Sequence, residues 1–384
     1  MISGGVHAVG GAPTGRYARI VHFASVAFFG ALPVLVVALL FVEAAGDDAV
    51  AFDFRQFYGA AEAILRGDNP YRAGEVVTEW GGAYPYPPLP ALTAVPLTVI
   101  SLQAAGLLVM ASLVAAALLT LWALDVRDWR CYGLAFLWPP VLSAIQTGNV
   151  TLWLGLAVAL AWRYRERLVP PAAGIGITLA GKFFLWPLVV WQAATRRYAS
   201  AALSCVIGAS LLLVSWAVIG FAGMTDYPDL VRTLEDTVGE DSYTAYIVGL
   251  DLGLPSPVAR GLWLTLGLAL VAAVIVLGRR GAERSAFVLA IAASLALTPI
   301  VWLHYFALLL VVVAVARASL GVIWFVPLAL VVTPGSGHPS PFETSATLAI
   351  AALTFALAVR ESQRRRERSA DPSPVSVPAS MLPS

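Results

Sequence analysis

Apolar residues run in long uncharged blocks from about position 20 to position 359, and arginine clusters or Gly/Pro-rich turns separate the blocks. Uncharged apolar runs approaching roughly 20 residues read as membrane-spanning helices. The first covers roughly 20–43, and further spans are expected at 104–124, 131–144, 150–163, 199–222, 258–278, 285–298, 301–316, 320–332 and 344–359. Two stretches are too irregular for a single span. Residues 88–101 contain Pro90 and Pro96 and read as a short interfacial or re-entrant piece. Residues 170–194, interrupted at Gly181-Lys182 and at Pro187, read as two half-lengths, out and back. The pattern therefore predicts an all-α polytopic membrane protein with about twelve transmembrane helices.

The arginines orient it. Arg16 and Arg19 precede the first span, and further arginines fall at 127–130, 163–167, 196–197, 279–284, 317 and 360–368. Positive charge marks the cytoplasmic side, so both chain ends are expected inside. The polar segments at about 44–103 and 223–257 are then outer loops. The second is acidic, with Asp226, Asp229, Glu235, Asp236, Glu240, Asp241 and Asp251. The tail's five arginines can contact anionic lipid, each worth about 1 kcal/mol near the surface. Residues 1–368 form one transmembrane domain, and the Ser/Pro-rich residues 369–384 read as a disordered cytoplasmic tail. The polar, Gly-rich residues 1–18 and the full-length first span predict no cleavable signal.

One segment stands apart. In Ala51–Leu89, Phe54, Phe57, Tyr58, Ala61, Ile64 and Leu65 recur at helical spacing, opposite Arg55, Gln56, Glu62 and Arg66. Such a helix can lie flat at the membrane interface, apolar side toward lipid. Gly67 stops it, Asp68-Asn69-Pro70 forbids its continuation, and Tyr84-Pro85-Tyr86-Pro87-Pro88 is a stiff aromatic re-entry.

Composition removes the water-soluble alternatives. Of 384 residues 59% are hydrophobic and 12% charged, with mean hydropathy +0.80, against about 25% charged in soluble domains. The formal net charge of +1 identifies no partner, and no basic patch suggests nucleic acid. Cys131 and Cys205 sit in or beside apolar runs and read as packing residues without a disulfide. No metal-ligand cluster, nucleotide loop or nucleophile elbow is present, which argues against ATP, a nucleotide-sugar donor or any cofactor.

The candidate chemistry rests on polar groups at the ends of apolar runs, where ionisable side chains face cavities or partners. Asp53, Gln146, Asn149, Lys182 and His304 all fall near the outer side by the span count. Asp53 is a candidate general base desolvated by Phe52, Phe54 and the bilayer; with Gln56 three residues on, it equally fits a helix cap in a capping box. Asp47 and Asp48 read as a solvated turn. Lys182, the single lysine against 23 arginines, follows Gly181 at a helix break and suits a phosphate, or snorkels to the interface. His304 binds a phosphate or sugar hydroxyl, or is a satisfied core histidine. Gln146 and Asn149 hydrogen-bond a sugar or tie a tight turn. Trp80, Tyr84 and Tyr86 stack a sugar ring or form an aromatic belt.

These residues resemble glycosyltransferase family 87, polytopic enzymes of the C-type superclass typified by actinobacterial polyprenol-phosphate-mannose-dependent α-1,2-mannosyltransferases. The likeness lies in an acid just after the first span, G-x-x-P-Y at Gly67–Tyr71, and Y-x-Y-P-P-L at Tyr84–Leu89. It continues in Gln-Thr-Gly-Asn-Val at 146–150, a shifted form of that family's G-Q-x-N connector. Lys182 before Pro187 and the triplet His304-Tyr305-Phe306 complete it. It covers most of residues 20–320. It implies a C-type fold and a polyprenyl-phosphate-mannose donor. The implied acceptor is a glycolipid or lipoglycan, such as a phosphatidylinositol mannoside, and transfer inverts at the outer face of the cell membrane without an obligatory metal. Asp53 would be the base, and Lys182 and His304 would stabilise the departing phosphate. Competing readings are transfer of another lipid-linked sugar, such as arabinofuranose or glucose, and a secondary transporter, whose spans and broken helices look alike.

Overall fold

The computed structural model describes residues 15–46, 51–71, 84–334 and 339–370, and within these it is helical with no strand. Asp47, Asp48, Trp80 and His338 lie outside the described residues. Helices α1 (Gly15–Val26) and α2 (Leu32–Gly46) join through a π turn at Ala27–Ala31 into one apolar rod. Then come α3 (Phe52–Arg66), α4 (Pro88–Ala94) with a 3-10 extension at Val95–Val99, and α5 (Leu102–Ala123). Helices α6 (Trp129–Ala135), α7 (Pro139–Thr147) and α8 (Thr151–Arg163) follow. Next are α9 (Val169–Gly181), a 3-10 turn at Phe183–Leu185, α10 (Pro187–Ala194) and α11 (Tyr198–Val218). The chain continues through α12 (Tyr227–Val238), α13 (Ala245–Asp251), α14 (Ser256–Arg279) and α15 (Glu283–Ala296). It closes with a 3-10 turn at Leu303–Leu308, α16 (Leu309–Ala316), 3-10 turns at Val322–Trp324 and Val326–Val332, and α17 (Pro341–Ala370).

Among the described residues, five helices are long and apolar enough to cross a membrane: Ala18–Gly46, Leu102–Ala123, Tyr198–Val218, Ser256–Arg279 and Pro341–Glu367. A sixth span arises if α7 and α8, bent by 118°, count as one broken crossing. The protein is thus membrane-embedded. Most of the long helices lie toward the outside, with only 6% of the first buried in the protein, whereas half of Leu102–Ala123 is buried. The short ones form the interior. Every residue of α16 is buried, as are ten of the fourteen in α15. Helices α9 and α11 approach through small residues, and a Cβ on Gly208 would stand 3.2 Å from the Gly176 carbonyl.

The arginines of the short turns between the bundle helices form one group of ion pairs. Arg163 bonds Asp125 at 3.2 Å; Arg197 bridges Glu166, at 2.7 Å, and Glu283. Arg317 pairs with Glu361 at 3.6 Å, and Arg366 donates to the Arg280 carbonyl. Cys131 is buried and Cys205 exposed, both free thiols.

The polar 223–257 stretch carries α12 and α13, with Leu230 buried and Thr244 capping the Ile247 amide at 3.3 Å. Two expectations need correction. The 320–332 segment is coiled as 3-10 turns, with Pro327 at the start of the second. The apolar face of α3 meets protein, not lipid. Phe54, Phe57, Tyr58 and Ala61 are buried, Tyr58 donates to the Ile100 carbonyl at 2.8 Å, and Phe57 sits edge-on to Tyr86 at 4.8 Å. Amphipathicity alone does not say which apolar medium a helix faces.

Candidate active site

At the end of the bundle away from the Arg163, Arg197 and Arg317 ion pairs, four segments converge on Asp53. The first is α3 itself. Asp53 is its second residue, and the capping position belongs to Ala51, which is fully buried in the left-handed conformation and makes no side-chain cap. The capping-box alternative therefore does not hold, because the left-handed turn at Ala51 starts the helix two residues before Asp53 could cap it. Gly67 ends the helix at φ +77°, and Asn69 turns back to accept from the Tyr71 amide at 2.8 Å.

The second segment is the sharp turn between α7 and α8. Gly148 holds φ +69°, and a Cβ there would lie 2.8 Å from the Ala51 Cβ and 2.9 Å from the Phe54 Cβ. Both the conformation and the contact require glycine. This approach delivers Asn149 to Asp53: Asn149 Nδ2 donates to Asp53 Oδ2 at 2.6 Å and lies 3.4 Å from the Tyr86 hydroxyl. The Asn149 oxygen accepts from Thr151 twice, from its amide at 3.0 Å and its hydroxyl at 2.6 Å.

The third is the break after α9. Lys182 leaves the helix in an extended conformation, and its ammonium sits 3.8 Å from the centre of the Tyr305 ring and 5.0 Å from that of Tyr86. It donates to the Tyr86 hydroxyl at 3.4 Å. Aromatic faces thus surround the cation. The fourth is the 3-10 turn at Leu303–Leu308. His304 is buried, stacks on Tyr305 and places Nε2 3.7 Å from Asp53 Oδ2.

Burial holds the Asp53 carboxyl above its ordinary pKa, and the Asn149 amide, the Lys182 charge and the Thr147 hydroxyl oppose that rise. The result is a desolvated carboxylate facing an ammonium, an imidazole and a phenol. Such a group can take a proton from an alcohol, while Lys182 offers charge to an anion. Among the described residues no three His, Cys, Asp or Glu side chains are placed to hold a metal ion.

The structure therefore brings together Asp53, Asn149, Lys182, His304 and Tyr86. Gln146 is exposed and takes part in none of these hydrogen bonds. Tyr84 is buried beside them with its hydroxyl occupied, donating to the Pro87 carbonyl and accepting from the Ala91 amide at 3.0 Å. Trp80 lies outside the described residues. Sequence reasoning gave no role to Thr147, Thr151 or Tyr305. Tyr305 stood in the triplet with His304, but nothing marked its ring as a seat for a lysine.

The model of glycosyltransferase family 87 matches residues 84–301, more than half of the chain. The match takes in Tyr86, Asn149 and Lys182; Asp53 and His304 fall on either side of it. No curated protein and no solved structure matches the chain.

Proposed function

The chain belongs to glycosyltransferase family 87, and we propose that this membrane glycosyltransferase moves mannose from a polyprenyl-phosphate donor to a hydroxyl of a glycolipid or lipoglycan, with inversion. The observation that carries the proposal is the placement of Asp53 against Asn149, His304 and Lys182 at one end of the bundle. The acceptor O–H gives its proton to Asp53 as its oxygen forms the bond to the anomeric carbon. On the opposite face the bond from that carbon to the phosphate oxygen breaks, and its electron pair leaves with the phosphate. A phosphate needs charge stabilisation rather than a proton, so one base suffices, unlike the carboxylate pair of glycosidases. Lys182 supplies that charge, and a His304 N–H is a further donor.

A lipid-linked donor also accounts for the setting. Its reactive phosphate sits at headgroup depth, and the cluster lies at a bundle end. Reading the shorter apolar helices as crossings beside the five long ones supports a count of about twelve. The arginine-lined end is cytoplasmic by the positive-inside rule. The cluster at the other end is then extracytoplasmic, in the cell membrane. Family membership displaces the transporter alternative. Arabinofuranose or glucose donors remain the competing substrates within the class.

The test is transfer of labelled sugar from polyprenyl-phosphate-mannose to a phosphatidylinositol mannoside by purified protein, with the anomeric configuration of the product read by NMR. An α-linked product from a β-linked donor, abolished in Asp53→Asn, supports the proposal. Transfer that persists in Asp53→Asn removes the base, and transfer from another lipid-linked sugar alone replaces the mannose donor.

A further inference from the structure

Asn149 is expected from sequence to hydrogen-bond a sugar, yet its surroundings leave it nothing to offer one. It is fully buried, at 0% exposure. Its side-chain oxygen already accepts two hydrogen bonds from Thr151, the number its two lone pairs can take. One of those donors is a backbone N–H, which can only donate. That fixes the amide: the oxygen must face Thr151, so the NH2 group must face Asp53 and the Tyr86 hydroxyl. Asn and Gln orientation is otherwise set by inference from the hydrogen-bond network, and here the network has one solution.

We infer that Asn149 is a positioning residue for Asp53, locked in one orientation by Thr151, and that its hydrogen bond to Oδ2 sets the direction in which the carboxylate meets an incoming hydroxyl. The inference rests on Asp53 being the base. The Gly148 contact with Ala51 and Phe54 makes the clamp stiff, because the turn bearing Asn149 cannot retreat from the first turn of α3 without opening that contact. Orientation of this kind matters because a base misplaced by an ångström loses most of its advantage. An amide N–H also favours the charged form of the carboxylate it touches. The other groups facing Asp53 are Thr147 from the end of α7, Lys182 from the α9 break, Tyr86 from the segment before α4, and His304 and Tyr305 from the 3-10 turn.

The experiment is the pH profile of kcat/KM for Asn149→Ala and Thr151→Val, with KM for donor and acceptor measured alongside. A hydrogen bond to a charged group, at about 1.5 kcal/mol, corresponds to a shift of about one pH unit. The acid limb is expected to move up by about that much in Asn149→Ala, with kcat down and both KM values within about threefold, on the reasoning that a lost orienting contact acts on the transition state. Thr151→Val retains the backbone donor, so the same limb should move in the same direction by less. Should Asn149→Ala fail to fold, Thr151→Val alone decides: an unshifted limb overturns the inference. A raised acceptor KM with an unshifted limb also overturns it and returns Asn149 to sugar contact. Asp53→Asn separates the two levels. If that variant retains transfer the base reading has failed; if it is inactive while both other profiles match the wild type, only the positioning role has failed.

Discussion

Gly148 and Ala51 touch where two helices begin and end: a Cβ on Gly148 would stand 2.8 Å from the Ala51 Cβ. The contact joins the α7–α8 turn to the first residues of α3, and through it Asn149 reaches Asp53 at 2.6 Å. Gly148→Ala must therefore move the turn, and the left-handed backbone adds about 1–2 kcal/mol of strain for any L side chain. Lower thermal stability and at least a tenfold loss in kcat/KM are expected. Gly59→Ala is the control. Gly59 lies on the exposed side of α3 with nothing within 4 Å of its Cβ position. It should gain about 0.5–1 kcal/mol with activity unchanged. Thermal unfolding in detergent and a transfer assay read both variants.

Lys182 gives a sharper test of the leaving-group role. Its ammonium rests on the Tyr305 ring and donates to the Tyr86 hydroxyl. Lys182→Met should lower kcat by about 10²–10³, the usual loss when a donor to developing charge is removed. Lys182→Arg should recover part of it, because charge is kept but the wider guanidinium does not fit the same aromatic seat. Single-turnover rates at saturating donor make the comparison. An unchanged rate with weakened donor binding would assign Lys182 to holding the ground state only.

The Asp53 carboxyl is held above its ordinary value by burial, which has two consequences of opposite sense. As a base it works only when ionised, so activity should fall as pH drops through its raised pKa, at a pH above the ordinary carboxylate value of about 3.8. For stability, a group whose folded pKa is raised favours folding below its unfolded pKa and loses that contribution as pH rises through the folded one. Asp53→Asn should therefore be inactive yet more heat-stable than the wild type at pH 8. The difference should vanish as pH approaches the ordinary carboxylate range. Melting curves across pH check this directly.

Tyr84 is expected to act through structure. Its buried hydroxyl is committed to the Pro87 carbonyl and the Ala91 amide. Tyr84→Phe leaves both without that partner, at a cost of about 1–3 kcal/mol. KM for the sugar substrates should stay put. A KM change without loss of stability would instead point to stacking on substrate.

Much of this was legible in the sequence. The hydrophobic blocks placed the helices, Gly67 marked the end of α3, and Gly181-Lys182 marked the break after α9. Asp53, Asn149, Lys182 and His304 stood at the ends of apolar runs, where a polar group has to face something other than lipid, and they converge. What periodicity could not show was the partner of each face. The apolar side of α3 fits a bilayer or a protein interior equally well, and only tertiary contact with Ile100, Tyr84 and Tyr86 decides. Gln146 and Asn149, three residues apart, were indistinguishable as amides. The positive φ at Gly148 turns one inward and leaves the other exposed.

The nesting of short helices inside long ones bears on how the protein meets bilayers of different thickness. Only helices in contact with acyl chains feel a mismatch between their length and the hydrocarbon depth, at fractions of a kcal/mol per ångström. Here that contact falls on the outer rods, above all Ala18–Gly46, while α15, α16 and the turn bearing His304 are wrapped in protein. A thicker or thinner membrane would tilt the outer wall and leave the inner residues in register with one another.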